Sequence, residues 1–303
     1  MQQYRYTFTE IESCVMCGSP SSQNFILGQR LNKSQGYRPK SKTGITTTVQ
    51  KCSNCSLIYS NPQPVPYDIQ DHYGIPPENY WTEKYFIVDK NYFSYQIGIA
   101  KRLIKFQPGM KALDVGAGIG KCMVALSRSE FDAYGLEPST TFRDKALEKM
   151  NLDSERLKLG MLEELDYPEN TFDFITFGAV LEHLYNPAYC IERTMKWLKP
   201  GGVIQIEVPS SDWLIPKFFN FYFKLIGTNY TTNLSPMHEP FHLFEFTLKS
   251  FQELAKKLNY EIAFNEIQVC SIYHISSFLH PLLRWYMKKT GTGMQLTVFL
   301  KKK

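Results

Sequence analysis

Two patterns in this chain carry residue types suited to chemistry. Cys14-Val-Met-Cys17 and Cys52-Ser-Asn-Cys55 are C-x-x-C pairs, and four thiolates at that spacing form facing knuckles around a tetrahedral metal. Asp114-Val-Gly116-Ala117-Gly118-Ile-Gly120 ends one apolar run and opens another. A glycine turn of this kind brings backbone N–H groups close to a ligand at a helix N-terminus. The spacing excludes a phosphate-gripping loop, because Lys121 is followed by Cys122 and Val115 stands where the first glycine belongs. It also departs from a dinucleotide loop, whose last glycine place falls on Lys121 when counted from Gly116. An Asp followed by alternate glycines needs no phosphate. It suits a ligand with an amino acid at one end and an adenosine at the other.

From Met110 onward the pattern repeats strand, helix, strand. "KALDVG", "FDAYGLEP", "FDFITFG" and "GVIQIEV" are strands, and helices are read in the segments through Ser127, over "STTFRDKALEKM" and over "PAYCIERTMKWL". "LKLG" leads into a loop, and Lys199-Pro-Gly-Gly202 stops the last of these helices. "LKSFQELAKKL", "YEIAFNEIQV" and "QLTVFLKKK" add a helix and two strands. Alternation of this kind gives an α/β fold with a parallel sheet covered on both faces, and ligands bind beyond the carboxyl ends of its strands. The glycine turn, Glu137 and Gly178 all follow strand ends, so they converge on one crevice. Glu137 lies 23 residues after Asp114, where a carboxylate accepts from two vicinal ribose hydroxyls; alone it could be an ordinary surface residue, and the glycine turn at that distance favours the ribose role.

The front of the chain reads separately. Between Ser13 and Tyr67 there is no Asp or Glu, whereas Arg30, Lys33, Arg38, Lys40, Lys42 and Lys51 fall there. A hairpin with its loop around Lys33–Gly44 fills the gap between the cysteine pairs, "ITTTVQKC" supplies one arm, and "SLIYSNPQPVP" is a short strand and a linker. A closed four-cysteine site has no open position, so a structural zinc is favoured over redox-active thiols or an iron–sulfur cluster. Cys122, Cys190 and Cys270 read as buried thiols. The expected organisation is a small zinc-ribbon-like module over residues 1–66, a linker and helical aromatic segment over 67–108, and the main domain over 109–303, with an aromatic insertion at about 209–246.

The whole chain bounds the rest. Its 303 residues are enough for one large core and a small module. A composition of 43 % hydrophobic and 21 % charged residues is globular, and the net charge of +5 is too slight to identify a partner. With no secretory signal or bilayer-spanning run, seven cysteines point to a reducing cytoplasm.

"DVGAGIG" at 114–120, "GLEPS" at 135–139, "LEELDYPENTFDFI" at 162–175, "AVLEHL" at 179–184 and "LKPGGVIQIEVP" at 198–209 together resemble class I S-adenosylmethionine-dependent methyltransferases. The resemblance implies a Rossmann-like, seven-stranded, mostly parallel sheet. It implies that the cofactor's methionine part rests on Gly116, Ala117, Gly118 and Gly120 with Asp114 near its amino group. Glu137 and the adjoining Pro138 take the ribose, Met161 and Leu162 border the adenine, and Gly178 and Ala179 flank the sulfonium. Met161 stands where relatives commonly carry an Asp that accepts from the adenine, so that contact passes to backbone or to Glu163. The front module resembles that of a subset acting on sugars or nucleotide-linked sugars by O- or C-methylation. An anionic or sugar-containing small molecule is then the expected acceptor.

Methyl transfer needs the acceptor about 3 Å from the methyl carbon and, for a hydroxyl or carbon acid, a base. His183 in "LEHL" is one candidate, its alternative role being to hold the turn. "PMHEPFHLFEFT" adds His238 and His242, with Glu239 and Glu245, as acceptor contacts or general base. Metal binding by the two histidines is disfavoured, since Pro240 lies between them and no third ligand is evident; plain loop packing is the remaining reading. Tyr80, Tyr85 and Tyr92 are weaker candidates for a lid. The aromatic segments 212–230 and 273–289 read as a lid or a homodimer contact rather than a membrane anchor. An RNA methyltransferase gripping nucleic acid through its basic front module is the competing class, although Gly178-Ala-Val-Leu replaces the Asn/Asp-Pro-Pro-aromatic run usual in amino-directed enzymes of that kind. A non-catalytic scaffold is the third.

Overall fold

The computed structural model describes residues 6–32, 44–68, 81–270, 272 and 275–303. The front of the chain forms β1 (Tyr6–Thr9), β2 (Phe25–Leu31), β3 (Thr46–Lys51), β4 (Ile58–Ser60) and β5 (Gln63–Pro66). β2, β3 and β4 are consecutive antiparallel neighbours, and β1 pairs antiparallel with β5. The loop expected around Lys33–Gly44 lies almost wholly outside the described residues.

The alternating half then runs α1 (Ser94–Ile104), β6 (Lys111–Val115), α2 (Lys121–Arg128), β7 (Asp132–Glu137), α3 (Thr140–Met150), β8 (Leu157–Leu159), β9 (Phe172–Gly178), α4 (Pro187–Trp197) and β10 (Leu198–Pro209). It continues through α5 (Leu214–Leu225), β11 (Phe244–Glu245), α6 (Leu248–Ala255), β12 (Tyr260–Gln268), α7 (His280–Thr290) and β13 (Gln295–Lys302). Seven strands order as β12-β13-β10-β9-β6-β7-β8, parallel except where β13 runs against both of its neighbours. "LKLG", read as leading into a loop, supplies the edge strand β8: three residues are too few for a periodic signal. The Lys-Pro-Gly-Gly segment does not separate helix from strand. β10 starts at Leu198 directly after α4, and its register with β9 slips between Leu198 and Val203.

Burial explains the central strands. Every residue of β9 from Phe172 to Phe177 is buried, polar Asp173 and Thr176 included, as expected of a strand covered on both faces. Helix starts are set by side-chain caps. Ser139 accepts from the Phe142 N–H at 3.3 Å, and Asn186 accepts from the Tyr189 N–H at 3.1 Å, with Pro187 in the first turn. These caps fix where α3 and α4 leave the carboxyl edge of the sheet.

The front sheet is completed from far along the chain. Phe244 and Glu245 of β11 pair antiparallel with Tyr59 and Ile58, adding a fourth strand beside β4. Cys14, Met16, Cys52, Cys55, Leu57 and Tyr59 consequently share one buried apolar cluster with Phe244, Phe246, Phe251 and the main-sheet residues Ile204 and Ile206. Elsewhere α5 buries Ile215, Phe219 and Phe223 in a cluster with Met287 of α7, while Phe221, Leu225, Leu282 and Trp285 stay exposed. No helix among the described residues is long and apolar enough to cross a membrane.

Candidate functional site

Beyond β6 the chain turns through Gly116, Gly118 and Gly120 with φ of 70°, 56° and 79°, the left-handed region that glycine adopts without strain. The Gly116 and Ala117 N–H groups both donate to the Leu136 carbonyl, at 2.8 and 3.0 Å, and the Gly118 N–H donates to Glu137 Oε2 at 2.7 Å. The three glycines do different work. A Cβ at Gly116 would stand 2.5 Å from Val180 Cγ2, and one at Gly120 would stand 2.1 Å from Leu152 Cδ1. A Cβ at Gly118 meets nothing within 4 Å, so this residue faces open space. At Gly120, which also opens α2, the space a side chain would need is taken by Leu152.

That space is a cleft wrapping the turn. On one side a cavity of about 870 Å³, its mouth included, is lined by Leu136, Glu137, Pro138, Met161, Leu162 and Ala179 among others. On the other side a cavity of about 520 Å³ is bordered by Asp114, Ala117, Lys121 and Gly178. Gly116 and Gly118 belong to both walls. The first wall is apolar apart from Glu137, Glu163, His183 and Tyr185, and the second carries a carboxylate, a lysine and exposed backbone. An extended ligand with a flat apolar end and a charged end matches these two halves. Three contributors escaped the sequence reading. Phe142, three residues past the Ser139 cap, faces the first cavity, and Trp81 meets it edge-on at 5.4 Å. Tyr185, just past the "LEHL" turn, faces the same cavity. Lys121 Nζ lies 4.5 Å from the Tyr85 ring on the second wall, where Tyr92 also stands.

The carboxylates are unusually deep. Asp114 is 4 % exposed and Glu137 is 5 % exposed. Burial, and then the adjacent Glu137 charge, push the Asp114 carboxyl up to about 8, against a hydrogen bond with Cys122. Burial also raises Glu137, although its Oε1 accepts from the Ser139 N–H at 2.8 Å and its Oε2 from Gly118. Each oxygen has two lone pairs, so acceptor capacity remains on both.

Two of the three predicted histidines meet. The His183 and His242 rings are 5.0 Å apart and edge-on, and His242 Nε2 lies 3.9 Å from Glu182 Oε1. Glu182, which the sequence reading passed over, has its carboxyl raised to about 8 by burial. Burial lowers His183 to about 4 and His242 to about 3, so both are neutral at physiological pH. His183 lines the cleft. His238 does not; its Nδ1 contacts the Glu239 carbonyl at 2.9 Å, and the segment is a turn rather than a helix that could pair it with His242. Glu245 is committed to holding the loop, accepting from Asn233 Nδ2 at 2.6 Å and the Leu234 N–H at 3.1 Å.

The four paired cysteines converge with all sulfurs within 4.8 Å of one another. Cys14 and Cys55 Sγ are 3.5 Å apart, as are Cys17 and Cys52 Sγ. Four sulfurs on one tetrahedral zinc stand about 3.8 Å apart, so the donor set fits such an ion. Of the basic front residues, Lys33, Arg38, Lys40 and Lys42 lie outside the described residues, as does Tyr80. Arg30 donates to the Tyr230 hydroxyl and to the Thr231 carbonyl, which fixes it in the fold.

A family model described as a methyltransferase domain matches residues 91–291. An uncharacterized methyltransferase of Schizosaccharomyces pombe is 32 % identical over 105 residues, 31 % of this chain and 38 % of that protein. Phosphoethanolamine N-methyltransferase 3 of Arabidopsis thaliana is 32 % identical over 123 residues, 37 % of this chain and 25 % of its own. A demethylmenaquinone methyltransferase of Staphylococcus aureus is 30 % identical over 136 residues, 42 % of this chain and 56 % of its own. The chain thus spans from a quarter to just over half of the length of these relatives. Among solved structures, an S-adenosylmethionine dependent methyltransferase from Mesorhizobium loti aligns with a TM-score of 0.49 at 16 % identity, covering 71 % of this chain and 98 % of that one.

The Asp114 environment has a measurable consequence. Its folded-state pKa lies above the unfolded value, so between pH 4 and 8 the unfolded chain gives up a proton that the folded chain keeps, and folded stability falls as pH rises. Asp114→Asn removes that loss. Without ligand, the variant is expected to gain more in Tm over the wild type at pH 8 than at pH 5. An equal difference at the two pH values would show that Asp114 is not held protonated.

Proposed function

The chain belongs to the methyltransferase-domain family, and on that premise we propose that it transfers the methyl group of S-adenosylmethionine to a small-molecule acceptor. The observation that carries the reading is the buried Glu137 carboxylate, bound to the Gly118 N–H at the hinge between an apolar and a polar half-cleft. The cofactor supplies an electrophilic methyl on a sulfonium. Glu137 has the remaining acceptor capacity to bind two ribose hydroxyls. Asp114, at the polar end, would face an amino group, and a cation there offsets the cost of its burial. Leu136, Met161 and Leu162 give adenine an apolar slot, and Glu163 on the same wall carries the polar contact that Met161 cannot make. Gly178 and Ala179 leave room beside the sulfonium. The neutral His183 at the cleft wall, with His242 behind it, is placed to take the acceptor's proton.

Relatives whose names specify phosphoethanolamine and demethylmenaquinone support a small-molecule acceptor. A sugar or nucleotide-linked sugar is the narrower reading and rests on the resemblance of the front module alone. None of the described residues bordering the cleft comes from that module. We also propose that Cys14, Cys17, Cys52 and Cys55 bind a structural zinc. Its support is the convergence of four sulfurs in a cluster continuous with the main core.

Titration calorimetry tests the cofactor reading. Glu137→Ala is expected to weaken S-adenosylmethionine binding at least tenfold with unchanged circular dichroism; equal affinity would remove the ribose role. For the cysteines, replacing Cys14 and Cys52 together by Ser is expected to release one zinc per chain in elemental analysis and to lower Tm. A wild-type protein that is folded and metal-free would contradict the zinc assignment.

A further inference from the structure

Glu182, His183 and His242 offer one ligand atom each, all within 4.8 Å of one another. The chain brings them together from two sources. Glu182 and His183 occupy the short turn after β9, and His242 immediately precedes the segment that forms β11. The Leu243 N–H donates to the Glu182 carbonyl at 2.9 Å, which clamps the two segments together. His183 Nδ1 lies 3.3 Å from the Phe241 carbonyl, a contact that presents Nε2 as the coordinating nitrogen. A backbone carbonyl on the far ring nitrogen is the usual way in which a metal-binding histidine is oriented.

The carboxylate points to a missing partner. Glu182 is 1 % exposed, and its Oε2 is buried without a hydrogen-bond partner. Its other oxygen lies 3.9 Å from His242 Nε2, beyond hydrogen-bonding range. A buried carboxyl group with an unsatisfied oxygen beside two imidazoles costs stability unless something cationic joins it.

We propose that Glu182, His183 and His242 form a three-ligand site for a divalent transition-metal ion at the inner end of the cleft. Two imidazoles and one carboxylate suit zinc, iron(II), manganese(II) or cobalt(II), and three protein ligands leave positions open. His183 borders the cleft together with Val180 and Tyr185, so an ion held there would lie next to that space. The ion's role rests on the methyl-transfer reading above and narrows it: the acceptor presents an oxygen, as an alcohol, phenol or enol. With the ion bound, His183 is a ligand and no longer the base: coordination lowers the pKa of that hydroxyl, and its proton passes to solvent. For O-methylation the oxygen's electron pair then forms the new C–O bond to the methyl carbon. The C–S bond breaks with its electrons returning to sulfur, which neutralises the sulfonium. The site differs from the four-thiol cluster, whose closed donor set has no place for a substrate.

Manganese(II) is the probe, because hard oxygen and imidazole donors hold it and a four-thiolate site prefers softer ions. Protein with its cysteine site filled with zinc would be titrated while the free-ion electron paramagnetic resonance signal is followed. The wild type is expected to bind one manganese per chain, and His242→Ala and Glu182→Gln to weaken that binding at least thirtyfold. Glu182→Gln keeps the side-chain shape should the alanine variant fold poorly, and circular dichroism checks both. Equal binding by wild type and folded variants, or no binding by the wild type, would overturn the site. His242 does not border the cofactor cleft, so S-adenosylmethionine calorimetry on the same samples separates the two proposals. Cofactor binding without manganese binding defeats only the metal site. Manganese binding without cofactor binding defeats the methyl-transfer reading and leaves the metal site standing.

Discussion

The end of β7 holds the turn after β6 in place. The Leu136 carbonyl accepts from two N–H groups of that turn, and the Glu137 carboxylate accepts from a third. A left-handed path through alternate glycines has few internal hydrogen bonds, so it needs this external acceptor to keep one shape. The cleft follows from the clamp. With Gly118 held against Glu137 its open side faces the cavity, and with Gly116 pressed on Val180 the turn after β9 is brought within reach of the same space. Burying the clamping carboxylate is costly, and a ligand that donates to it offsets part of that cost.

The second dependence runs through residues 242–247. Phe244 and Glu245 complete the front sheet beside β4, and the Phe246 N–H donates to the Pro209 carbonyl at the end of β10. Thr247 Oγ1 donates to the Cys55 carbonyl at 2.6 Å, while Leu243 is tied to Glu182. One short segment therefore joins the cysteine cluster, the central sheet and the histidine pair. This gives a physical role to a front module that contributes no described residue to the cleft wall.

Legibility in the sequence followed locality. The glycine turn, Glu137 and the cysteine pairs are recognisable because each is a close spacing of unusual residue types, and the alternation of strands and helices is recognisable because its segments are long and periodic; the strand order was not legible. The cluster of Glu182 with His183 and His242 was not legible. Its members are about 60 positions apart, and their meeting depends on β11, two residues long and far below any periodic signal. His238 and His242 are equal candidates for acceptor contact by their place in the sequence, but only His242 meets His183, while His238 turns to the Glu239 carbonyl and does not border the cleft. Gly120 adds a second reason for its glycine that the motif alone does not show: the Leu152 side chain leaves no room for a Cβ there. Phe142 carried a usable signal, since an aromatic in the first turn after a capped strand end faces the ligand crevice.

What the methyl group reaches decides between a small-molecule enzyme and one that modifies a macromolecule. Purified protein incubated with methyl-labelled S-adenosylmethionine and an extract of its source cells, followed by separation of RNA, protein and small molecules, tests this most directly. Label in the small-molecule fraction, dependent on the protein, is the predicted result. Label confined to RNA or protein would contradict the account and make the basic front stretch a grip on a macromolecule.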